Sequence, residues 1–150
     1  MEKTSIYGKG QQRRVNPDWF TGRTWMKVLS EKIGSKKQDM YHVHFERRSR
    51  TKLHKHDGDQ ILIGTRGRGS LEIFKRSGSS RTRFGIKRAQ RIAINDGDVV
   101  HIPAGTLHTH GATGPGTFSH IAINVLAGRG RQYKTAWYES DCKSAVTGTI

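Results

Sequence analysis

Eight histidines fall among 150 residues, and their placement is uneven. Six of them form three pairs at i, i+2: His42/His44, His54/His56 and His108/His110. His101 and His120 stand alone. On a β-strand, residues two apart share a face, so each pair can aim two imidazoles at one point. Gln60 follows His54 and His56 with the same parity and joins their face if strand pairing continues. Two ring nitrogens from one strand, an oxygen a few residues on, and a third nitrogen from a distant strand make a facial metal site. Such an N/O set suits manganese, iron, cobalt, nickel or zinc by ligand type.

The remaining histidines read differently. Tyr41 and Val43 are the expected inward residues of their strand, so His42 and His44 are read as an outward, solvated pair. His101, between Val100 and Ile102, is read as a packing residue. Alternation points His110 and His120 inward with His108 and Asn124, where either serves to orient a neighbour or to transfer a proton. Tyr41, Val43 and Asn124 are the candidate substrate-contacting walls. Trp19, Phe20, Trp25 and Trp137 are read as core or mouth-closing aromatics.

These residues need elements to hold them, and the sequence pattern has period two. Tyr41, Val43 and Phe45 alternate with polar neighbours, as in a half-buried strand. Short strands are expected over 61–63, 71–74, 92–94, 99–102 and 118–125. Turn signals at 57–59, 67–69, 77–79, 95–97, 103–105 and 114–116 separate them. Many short strands with almost no helical pattern argue for an all-β sandwich or barrel. The expected organisation is a loose, flexible arm over 1–18, one domain over 19–139, and a small, polar, frayed tail over 140–150.

Composition bounds the rest. The chain fits one domain; 33% of it is hydrophobic, and it has 18 glycines but 3 prolines. Mean hydropathy is −0.72. The single cysteine, Cys142, excludes an internal disulfide and a cysteine-rich zinc site, and a reducing cytoplasm is the default expectation. Residues 1–14 carry no apolar stretch, so no signal peptide is expected, and the longest apolar run, 121–127, is too short to span a bilayer. The expected partners are a small-molecule substrate and a second copy of the chain, with no membrane; a homodimer would hide sheet edges.

Lys+Arg number 27 against 12 Asp+Glu, a net charge of +15, which admits a nucleic-acid partner without favouring it. The stretch 75–91 holds Lys75, Arg76, Arg81, Arg83, Lys87, Arg88 and Arg91 and no acid. It is read as a long hairpin loop, solvated and mobile, with a phosphate-binding surface as the alternative. Arg-Gly dipeptides at 66–67, 68–69 and 129–130 are too few for an RNA-binding tract, and each sits at a predicted turn.

Two segments carry a specific resemblance. His54-Lys-His56-Asp-Gly-Asp-Gln60 resembles the first cupin motif, and Gly97-Asp-Val-Val-His-Ile-Pro103-Ala-Gly105-Thr-Leu-His108 resembles the second. Within the cupins the chain is similar to small single-domain manganese cupins that include bacterial hydroxynitrile lyases, through Asp18–Gly22, His108–Thr113, Ser119–Asn124 and, loosely, the Trp137 region. The resemblance spans about residues 17–139. It implies a single-domain jelly-roll barrel with one divalent metal inside, held by His54, His56, Gln60 and His108, with manganese first and iron, nickel, cobalt or zinc as alternatives. Cupins at large have Glu where this chain has Gln60; the subgroup also uses Gln. The 75–91 segment is longer than the subgroup's connection.

An all-neutral ligand shell leaves the metal charge uncompensated, which favours a divalent Lewis acid over an oxidised trivalent ion. The expected activity is therefore lyase-type chemistry on a small oxygenated molecule, in the resemblance's form the cleavage of a cyanohydrin. The alternatives are an Fe²⁺ dioxygenase using the same four residues and a non-enzymatic cupin that binds a ligand or nucleic acid.

Overall fold

The computed structural model describes residues 1–8, 12–13, 16–126 and 133–150. The Arg129-Gly130 turn lies outside the described residues. Among the described residues, thirteen strands run in chain order: β1 (Gln12–Arg13), β2 (Phe20–Thr21), β3 (Thr24–Val28), β4 (Gln38–Phe45), β5 (Arg50–Thr51), β6 (Leu53–His56), β7 (Gln60–Ser77), β8 (Phe84–Asn95), β9 (Val99–Ile102), β10 (Leu107–Ala112), β11 (Phe118–Val125), β12 (Thr135–Ser140) and β13 (Ala145–Thr149). The only helical pieces among the described residues are two three-residue 3₁₀ turns, Pro17–Trp19 and Glu31–Ile33. Among the described residues, no helix is long and apolar enough to cross a membrane.

The two sheets of a jelly roll share one strand. The first half of β7 pairs with β9 and β11, which continues through β4 to β3 and β1. Its second half pairs with β8 and β10. From there β8, β13, β12, β6 and β10 pair in succession, closing a circuit back to β7. One core cluster, with Val43, Phe45, Leu62, Leu71, Ile102 and Phe118, lies between the sheets. A second, with Leu53, Phe74, Phe84, Ile86, Leu107 and Tyr138, draws its residues from β6, β7, β8, β10 and β12. Alternation along β4 and β11 puts apolar residues of every second position into the first cluster, as period two requires.

Several expectations are corrected. The predicted strands at 61–63 and 71–74 are one 18-residue strand, and the turn expected at 67–69 lies inside it. Pairing slips near Ser119/His120, and Gly67 takes φ +74°, so the glycine serves a bend between sheets, not a chain reversal. The basic 75–91 segment is largely strand: only 78–83 turn, because Phe84 and Ile86 are buried in the second cluster and pull their segment into pairing. The tail is not frayed. β13 pairs with both β12 and β8, with Val146 buried, and an Asp141 carboxylate accepts from the backbone N–H of Lys143, Ser144 and Ala145. The N-terminal arm is likewise tied: β1 pairs with β3, and Lys27 Nζ donates to the carbonyls of Ile6 and Gly8.

Candidate metal centre

Register brings the two motifs face to face. His54 on β6 is the cross-strand partner of His108 on β10, and their ring centroids lie 4.2 Å apart. His56 follows on the same face, 4.9 Å from His54 and 5.5 Å from His108. The turn of the second motif is pinned to the first: Gly105 N donates to His56 O over 2.7 Å, with Gly105 at φ +77°, a conformation that favours glycine. Asp59 adds a second clamp, accepting from Ala104 N and facing His101 Nε2 at 3.1 Å. His101 is thus an exposed side chain in hydrogen-bond contact with the Asp59 carboxylate, not a packing residue; its strand turns it away from Val100 and Ile102 toward solvent.

Each of these rings is held through Nδ1. His54 Nδ1 lies 2.8 Å from Lys52 O and His108 Nδ1 2.8 Å from Thr106 O. Carbonyl oxygens only accept, so both Nδ1 atoms carry the proton and both Nε2 atoms bear a free lone pair. His56 Nδ1 lies 2.7 Å from Thr135 Oγ1. Burial holds His54 well below its usual range, His56 down to about 3 and His108 down to about 4, so all are neutral and able to ligate at neutral pH.

Gln60 reaches the same place by a different route from the one expected. Pairing does not continue past His56; the turn at 57–59 intervenes, and Gln60 opens β7 opposite Asn124 on β11. Gln60 Nε2 donates to Asn124 Oδ1 over 2.8 Å, leaving Oε1 without a partner. His56 Nε2 and His108 Nε2 are likewise buried and unpartnered. Three unpartnered polar atoms in one buried cluster are costly unless something binds them, and a cation does so once His56 gives its Nδ1 proton to Thr135 Oγ1, as His108 gives its own to Thr106 O. The donor set therefore fits a divalent metal.

The tightest grouping adds a residue not expected as a ligand. Nitrogens of His54, His108 and His110 lie within 4.8 Å of one another, and His56 falls outside that trio. His110 in turn has Nδ1 at 3.1 Å from His120 Nε2, both rings fully buried, with His120 Nδ1 unpartnered. Burial is the first cause that lowers both, His120 to about 3, with the neighbouring histidines adding repulsion.

A cavity of about 330 Å³ opens onto His54, His56 and Gln60 and is walled by Tyr41, Val43 and Asn124, the three expected there. Sequence reasoning missed Tyr133 and Thr135. Tyr133 lies over His56 with centroids 4.9 Å apart, and its hydroxyl, its pKa pushed up by burial, donates to Gly58 O. Trp137, predicted as an aromatic closure, stacks on His54 at 4.3 Å and on Trp19 at 5.1 Å. The alternation Tyr133, Thr135, Trp137, leading into β12, was the available signal.

His42 and His44 point outward as expected but are not simply solvated. They are half-buried, with His42 Nε2 at 3.1 Å from Thr65 Oγ1 and His44 Nδ1 at 2.6 Å from Ser119 Oγ, in a separate outer cavity of about 310 Å³ beside Trp25 and Lys27. The arm residues Ile6 and Tyr7 roof that cavity, which is why these histidines are shielded. Trp25, expected in core or mouth, is exposed there.

Comparison with solved structures gives consistent neighbours. The chain is similar to a cupin-like protein from Thermotoga maritima, with 31% identity, a TM-score of 0.63, and coverage of 91% of this chain and 90% of that one. A protein described as a predicted oxalate decarboxylase from the same organism matches at 22% identity and TM-score 0.58, over 79% and 95% of the two chains. KdgF from Halomonas matches at 16% and 0.59, over 85% and 96%. The last two show the fold alone. No protein-family model and no curated protein matches the chain.

Proposed function

Since this chain belongs to the cupin superfamily, we propose that it is a metal-dependent enzyme carrying out lyase-type chemistry on a small oxygenated organic molecule, in its most specific form the cleavage of a cyanohydrin. The cupin neighbours and the buried histidine cluster support the metal-dependent part. The observation that carries the ligand set is the orphaned trio His56 Nε2, His108 Nε2 and Gln60 Oε1. With His54, these residues would hold the ion; His110, near the same point, has its Nδ1 engaged by His120. A divalent ion held there supplies Lewis acidity toward a hydroxyl or carbonyl oxygen.

The chain's own residues do the rest. Tyr41, Val43 and Asn124 wall a cavity sized for a small ligand, whose lining mixes apolar side chains with polar groups able to orient it. His110 and His120 are neutral, so the pair shares one proton along its 3.1 Å contact and keeps one nitrogen free to accept another. When the substrate hydroxyl gives its proton to this pair, the C–C bond breaks and an aldehyde forms. The departing cyanide then takes the proton, which a buried imidazole gives up readily because burial disfavours its charged form.

Elemental analysis with electron paramagnetic resonance on protein purified without added metal tests the first part: one divalent ion per chain is expected. Cyanide release from aromatic and aliphatic cyanohydrins, unchanged under anaerobic conditions, tests the second. Turnover that requires oxygen would favour the dioxygenase reading and overturn the lyase.

A further inference from the structure

We propose that the basic surface formed by the outer ends of β7 and β8 is a docking surface for a nucleic-acid duplex, contacted through its phosphates. The proposal is independent of the metal centre, whose cavity none of the surface's cations lines.

Most of the charges on this surface are uncompensated. Its one acid, Glu72, is used by Arg88 at 3.2 Å and Arg91 at 3.7 Å. Among the described residues, Lys75, Arg81, Arg83 and Lys87 have no acidic partner. Lys75 stands directly opposite Lys87 in the ladder, and both are exposed. Like charges placed opposite each other destabilise a sheet, so folding alone does not account for the pair; an anion between or above them does.

The tip is organised, not loose. The Arg76 guanidinium lies 4.4 Å over the Phe84 ring, donates from Nε to Gly78 O at 3.3 Å and from an Nη to Ser80 O at 2.6 Å, and Arg83 N donates to Ser80 Oγ. Arg81 and Arg83 are therefore presented on a framed turn beside the lysine pair. β13 pairs with β8 at Phe84 and Gly85, so the two strands do not stand free to enter a groove, and the surface meets a duplex along its phosphates. Single strands are gripped by stacking on exposed aromatics, and the phenylalanines here, Phe74 and Phe84, are both buried.

The test uses the full chain and a short labelled B-form duplex of mixed sequence in fluorescence anisotropy, titrated with salt. Four phosphates neutralised by Lys75, Arg81, Arg83 and Lys87 give a slope of about −3.6 in log K against log salt, a loss on the order of a hundredfold between ~50 and ~200 mM. Lys75→Gln with Lys87→Gln should make the slope shallower by about 1.8. Lys75→Glu alone places opposite charges across the ladder, keeps the fold, and should also weaken binding. Retained metal content and circular dichroism serve as the folding check. No duplex binding at low salt, an unchanged slope in the variants, equal or tighter binding of the matched single strand, or preference for phosphatidylcholine–phosphatidylserine vesicles would each overturn the proposal.

Discussion

Gln60 Nε2 donates to Asn124 Oδ1 across 2.8 Å, and this bond decides which end of the Gln60 amide faces the histidines. An amide presents a donor at one end and an acceptor at the other, and only the acceptor can ligate a cation. Asn124, on β11 and four strands on in sequence order but register partner of Gln60, thus orients a candidate ligand. Replacing it (Asn124→Leu) should lower metal affinity about 10- to 100-fold, the usual cost of losing an outer partner, as read by competition with a chelator. Unchanged affinity would show that Gln60 is held some other way.

Removing both facing imidazoles should remove the site. The double substitution His54→Ala with His108→Ala deletes one nitrogen from each motif and should abolish metal content. Circular dichroism should still report a folded β-protein. Full metal content in that variant would direct attention to His42 and His44.

Exchanging Gln60 for Glu should change the chemistry more than the occupancy. The added negative charge sits in a buried, weakly screened place and should hold a cation at least as tightly. It also lessens the ion's pull on a developing oxyanion. Lyase turnover should slow and its pH profile shift upward, measured at matched metal content with and without oxygen. Faster, oxygen-dependent turnover would instead support oxygen activation.

The neutral histidines make the metal-free protein acid-sensitive. Unfolded imidazole titrates near 6.5, whereas burial lowers His108 to about 4 and His56 and His120 to about 3. Above pH 6.5 both states are neutral and the full contribution is present. As pH falls below that value, the unfolded chain takes up protons that the folded chain resists, so stability drops until the folded values are reached. The slope is at most about 1.4 kcal/mol per pH unit for each histidine. Urea midpoints of metal-free protein should fall between about pH 7 and pH 5, and His108→Ala should flatten the fall.

Trypsin should cut the native protein after Arg81 or Arg83 and spare Lys87, Arg88 and Arg91. The first two lie in the 78–83 turn, while the others belong to a paired strand. Early cleavage after Lys87 would contradict that pairing.

Local pattern determined much of this protein. Period-two alternation marks β4 and β11 because each has one buried face, and the i, i+2 histidines inherit a common direction from that geometry. Glycines and Asp-Gly steps mark the turns at 57–59, 95–97 and 103–105 because few residues tolerate those dihedrals. Tertiary structure decided what depends on distant partners. The basic segment is strand because Phe84 and Ile86 find a second core, and the tail is strand because Val146 joins it. Tyr133, Thr135 and Trp137 reach the histidines only because β12 pairs with β6, a register no local pattern contains. His42 and His44 leave solvent because an arm folds over them, and His110 meets His54 because β10 crosses β6. Side-chain direction is a property of one strand; the company that a side chain keeps is set by which strands the whole chain can bury together.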